Sequence, residues 1–65
     1  MKLQIKDSGA WRNVLSFEAA RTAEVEAAAA ALLRAAGGLG TTMRITDGDL
    51  VMAYCEQPAC AWRAR

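Results

Sequence analysis

The sequence predicts an α+β fold: a small antiparallel sheet of four to five strands with one helix on one face. Three observations carry this. Two segments, LQIKDSGAWRNVLSF and TTMRITDGDLVMAYCE, carry strand-forming residues on either side of a glycine-bearing turn, with apolar–polar alternation clear in the first. Between them, RTAEVEAAAAALLRAAGG has a helical period and a stop signal at its end. The order is therefore ββαββ, and the alternating tail AWRAR leaves room for a further C-terminal strand. Residues 1–65 make one small domain.

In the first hairpin the turn is expected at Ser8-Gly9-Ala10. A three-residue loop pairs Leu3 with Leu15 and Ile5 with Asn13. One face then carries Met1, Leu3, Ile5, Trp11, Leu15 and Phe17, and the other Lys2, Gln4, Lys6, Arg12, Val14 and Ser16. A two-residue loop sets Ile5 against Arg12 and mixes the faces, so the three-residue register is preferred. Core packing is the expectation for Trp11.

The helix is expected over Ala23 to Ala36, with Thr22 as N-cap and Gly37 as terminator. Glu24 and Glu26 near its start and Arg34 near its end complement the helix dipole. Val25, Ala28, Ala29, Leu32 and Ala36 form the stripe expected to face the sheet, so Leu32→Asp should unfold the chain.

The second hairpin turns at Asp47-Gly48. A two-residue turn places Met43 and Ile45 with Leu50, Met52 and Tyr54. A three-residue loop places them with Val51, Ala53 and Cys55. Both sides of this strand are apolar, so alternation does not choose between them.

The only cysteines, Cys55 and Cys60, flank the only proline in CEQPAC. A turn at Gln57-Pro58 sets the two opposite each other on neighbouring strands. Zinc requires about four ligands and the chain has no histidine, and the spacing is not that of a redox C-x-x-C pair. A disulfide fits opposed strand residues but not a reducing compartment. Two reduced thiols packed in the core are the favoured reading.

Composition excludes more than it specifies. At 54% hydrophobic and 23% charged, with net charge +1, the chain is globular and names no partner by its overall charge. Its longest apolar run ends at Arg34 and is too short to span a membrane. The start, MKLQIKDSG, lacks the apolar region of a secretory signal, which makes the cytoplasm the expected location. An alanine-rich, histidine-free chain also suggests a bacterial, GC-rich source.

Catalytic signals are absent. Without histidine the commonest general base is missing, and Ser8 and Ser16 have no activating partner. Asp47 and Asp49 flank a turn glycine and match no calcium loop. Gly37-Gly38-Leu39-Gly40 follows a helix, whereas a phosphate loop precedes one. The expectation is a non-enzymatic protein with no metal and no cofactor.

Function is then sought on the sheet face the helix leaves uncovered. In one reading Val14, Leu50, Met52 and Tyr54 form an apolar interface for a second copy of the chain or for another protein. In the alternative, Lys2, Lys6, Arg12, Arg44, Arg63 and Arg65 line a basic face that binds nucleic acid, with Tyr54 as its stacking residue.

Overall fold

Two hairpins built by one device frame the fold. The computed structural model describes all of residues 1–65. Strands β1 (Lys2–Asp7) and β2 (Ala10–Ser16) are joined by Ser8 and Gly9, at φ 53° and 83°. Positive φ at both central positions is the type I′ pattern, whose twist matches that of paired strands. Strands β3 (Thr42–Asp47) and β4 (Leu50–Glu56) are joined by Gly48 and Asp49, with Gly48 at φ 61°. Glycine at the first central position suits a type II′ turn.

Each two-residue turn is followed by a bulge. Asp7 pairs with Ala10 and Ile5 with Arg12, yet Leu3 pairs with Leu15, because Val14 is an extra residue in β2. In the second hairpin Asp47 pairs with Leu50, but Ile45 pairs with Ala53 and Met43 with Cys55, because Met52 is extra in β4. A bulge shifts the strand by one residue and so exchanges its faces partway along. Turn and core therefore follow different registers of the two weighed from sequence. The three-residue loop in the first hairpin is corrected: Trp11 lies opposite Lys6, away from the core.

A short 3₁₀ turn (Ala19–Arg21) leads into α1 (Thr22–Ala36), and β5 (Ala61–Ala64) completes the sheet in the order β2-β1-β3-β4-β5, every neighbour antiparallel. The expected α+β architecture and the fifth strand are both present. Thr22 is the first helical residue and not the N-cap; its hydroxyl donates to the Ala19 carbonyl. Gly37 ends the helix where expected, with positive φ of 70° but an extended ψ of 179° in place of the left-handed helical conformation.

Leu3, Met43, Ile45, Cys55 and Cys60 meet Ala29, Ala30 and Leu33 of α1, with Met1, Ile5, Phe17, Val25 and Trp62 at the margin. The helix is turned from its expected orientation: Leu33 is 2% exposed and Leu32 61%. The bonds that set this turn come from the β5 side. Trp62 Nε1 donates to the Glu26 carbonyl at 2.7 Å, and Arg34 donates to the Cys60 carbonyl at 3.3 Å. Leu32→Asp is therefore a surface change.

The CEQPAC segment resolves differently from its expected turn. Cys55 pairs with Trp62, while Cys60 sits in the loop at φ 52°, its amide donating to the Glu56 carbonyl. The cysteines are thus not opposed across strands, because the loop takes four residues, Gln57 to Cys60, with a cis Gln57-Pro58 bond. Both are buried free thiols. Gln57 is buried and acts as a cap supplied from a distant part of the chain. Its amide nitrogen donates to the Leu33 and Gly37 carbonyls, and its oxygen accepts from the Thr41 amide at 3.0 Å. One side chain thereby joins the end of α1 to the start of β3.

Candidate functional site

The sheet has helix on one side only, and its register decides what the other side displays. Antiparallel partners point the same way, so a row can be followed from strand to strand. The central row runs Asn13, Gln4, Arg44, Tyr54, Arg63 across all five strands. On one flank lie Trp11 and Lys6, then Thr42, Glu56 and Ala61; on the other, Ser16, Lys2, Thr46 and Val51.

The row is held together by its own side chains. The Arg44 guanidinium lies 4.0 Å over the Trp11 ring, reaching past β1 to β2. Its Nε donates to Gln4 Oε1 at 2.7 Å, and Gln4 Nε2 donates to Asn13 Oδ1 at 2.8 Å. A guanidinium over an aromatic face is attracted by the ring quadrupole. Arg44 is thereby fixed in orientation, with its two terminal amino groups free of any bond within the chain. At the other end Arg63 is paired with Glu56 at 2.9 Å. Both side chains are largely exposed, so this pair is weak and open to exchange.

The basic residues singled out from sequence are mostly gathered here. Lys2, Lys6, Arg44 and Arg63 share the open face, and Arg65 continues beyond Arg63, its amide donating to the Met52 carbonyl. Arg12 is the exception. It lies opposite Ile5 on the helix side, where Asp7 holds it at 3.1 Å. Glu56 is the one carboxylate among the rows of the open face.

The expected apolar interface does not assemble. Val14 is the bulged residue of β2, whereas Leu50, Met52 and Tyr54 belong to β4, with β1 and β3 between. Three strand spacings, about 14 Å, separate them. Leu50 sits beside its turn and is 68% exposed. Tyr54 belongs to the polar row, between Arg44 and Arg63.

The thiols lie on the helix side of the sheet. Burial first, and the neighbouring Cys60 second, push the Cys55 thiol up, with the Arg34 charge pulling the other way. A thiol held protonated is a poor nucleophile and a poor ligand. No three histidine, cysteine, aspartate or glutamate side chains converge anywhere as a metal site would require. No helix is long and apolar enough to cross a membrane.

Three residues of this arrangement were not singled out from sequence: Trp11, Gln4 and Asn13. The Ser8-Gly9 pair, a known turn signal, favours the two-residue turn that brings Trp11 outward. Comparison with protein-family models, with curated proteins and with solved structures gives no significant match.

Proposed function

We propose that the chain is a non-enzymatic binding module whose open sheet face takes single-stranded nucleic acid. The observation that carries this is the central row: Arg44 stacked on Trp11, with Tyr54 and Arg63 beside it, among five cations and one carboxylate. Phosphates favour the cations, and release of their counterions drives association. Bases favour Tyr54 and whichever face of the Arg44–Trp11 stack is left uncovered, since sequence-tolerant stacking needs only a π-face. A sheet of this width accommodates about two or three bases. Affinity per chain is accordingly modest and salt-sensitive. With the row carrying function, the cytoplasm is the fitting location, where both thiols stay reduced.

The second reading is association with another copy of the chain. It rests on the free edge of β2, where Val14 and Leu15 are 44% and 46% exposed. The bulge at Val14 interrupts that edge, which is a common protection against strand pairing. The basic row is therefore the stronger reading.

Fluorescence anisotropy of a labelled mixed-sequence single strand, titrated at several salt concentrations, tests the proposal. Binding should weaken with salt, with a slope of roughly −2 in a log–log plot if about three phosphates are neutralised. Arg44→Ala should flatten that slope by close to one phosphate and lower affinity at every salt concentration. Salt-independent binding, or no binding at low salt, would reject it. Sedimentation at the same concentrations reports any second copy.

A further inference from the structure

The two arginines of the central row are held by partners of different kinds. Arg44 leans on neutral groups, the Gln4 amide oxygen and the Trp11 ring, which leave its charge uncompensated. Arg63 is held by a carboxylate: its Nη2 donates to Glu56 Oε1 at 2.9 Å. This is the one hydrogen bond between them, so a single prong of the guanidinium fork is used. Register brings the two together. Tyr54 pairs with Arg63 and Glu56 with Ala61, which makes Glu56 and Arg63 diagonal neighbours on the open face. Beside them the face is concave. A cleft of about 280 Å³ opens at the β4–β5 turn, lined by Glu56, Gln57, Ala59, Ala61 and Arg63. Ala59 and Ala61 add only methyl groups. The Gln57 amide is committed to the Leu33 and Gly37 carbonyls and the Thr41 amide. Arg63 is thus the cleft's side-chain donor for an anion, and Glu56 already occupies it.

We propose that this cleft is a phosphate subsite for the bound strand, and that Glu56 guards it by standing in for the phosphate. The inference rests on the nucleic-acid reading above. Carboxylate and phosphodiester are both anions that accept hydrogen bonds from a guanidinium. A phosphate can take two parallel bonds from Arg63, where Glu56 takes one. The exposed pair is weak, so a phosphate can displace it. Displacement still has a cost. The pair is lost, and the freed carboxylate stays close enough to repel the incoming anion. Affinity is therefore lower than the cations of the row would give unguarded, and a neutral ligand has no means of opening the pair.

Four proteins separate a guard from a general effect of charge: the unaltered chain, Glu56→Gln, Arg63→Ala and the double variant. Each is titrated by anisotropy with labelled oligo-thymidine at about 0.1 M salt, where charges more than about 10 Å apart are largely screened. Both side chains are largely exposed, and circular dichroism will confirm that all four proteins are folded. Glu56→Gln should bind about two- to fivefold more tightly, the range that an exposed ion pair can withhold. With Arg63→Ala already in place, the same change should gain distinctly less, because no guanidinium remains to be released. An equal gain with and without Arg63 would assign the effect to charge alone and overturn the guard, leaving the nucleic-acid reading in place. No gain from Glu56→Gln in a protein that binds would overturn it in the same way. Binding by none of the four would overturn both readings.

Discussion

Replacing Gln57 by leucine should nearly unfold this protein, although side-chain volume is roughly kept and an apolar group takes the buried site. The side chain serves three backbone groups: the Leu33 carbonyl, the Gly37 carbonyl and the Thr41 amide. The Leu33 carbonyl is the critical one. Its helical partner would be the Gly37 amide, which instead turns to the Arg34 carbonyl at 3.2 Å. Without Gln57 that carbonyl is a buried acceptor with nothing to accept. An orphaned buried group costs about 1–3 kcal/mol, with the lower figure for the partly wet Gly37 and Thr41 groups. The sum is about 3–5 kcal/mol, against about 3–10 kcal/mol of total stability for a chain of this length. Urea unfolding followed by circular dichroism should show a large fall in midpoint with little change in slope. In a thermal scan the midpoint should drop by more than about 12 °C. A loss under about 1 kcal/mol would mean that the helix end does not depend on this amide, and the reasoning would fail.

Other consequences follow from the same geometry. Leu33→Asp should abolish cooperative unfolding, while Leu32→Asp should change stability by no more than about 0.5 kcal/mol, both read by urea titration. Arg12→Ala should leave single-strand binding unchanged in anisotropy, since Arg12 lies on the helix side with Asp7. Stability should also fall in mild alkali. The folded state holds the Cys55 proton to a higher pH than the unfolded chain does. Stability is therefore full below the ordinary thiol range, about pH 8.5, and declines as pH rises above it. Urea midpoints between pH 7 and 10 should show the decline, and Cys55→Ala should remove it.

Helix, hairpins and fifth strand were legible because their signals are local: period, turn dipeptides and a terminating glycine. The faces were less so, for two physical reasons. A bulge lets a strand follow one register beside its turn and another at its far end, as Trp11 and Leu15 of β2 do. A test that compares unbroken registers must misplace one of them. In α1 the stretch from Ala27 to Ala31 is uniform, so its buried side could not be located from the sequence. Trp62 and Arg34 contribute to that choice through contacts far apart in sequence. The role of Gln57 was likewise invisible, since a polar residue beside a turn proline resembles any loop residue until the helix end arrives. Most basic residues of the candidate site were found, but the side chains that organise them were not. Gln4 and Asn13 acquire a role only when three strands stand side by side.

The most direct test of the binding face is a two-dimensional amide NMR spectrum at low salt, with and without a mixed-sequence single-stranded oligonucleotide. The account predicts shifts at Gln4, Lys6, Asn13, Arg44, Tyr54 and Arg63, and at the Trp11 indole but not the Trp62 indole, all reversed by high salt. Shifts confined to α1 or to the Arg12–Asp7 corner, or none at all, would contradict it.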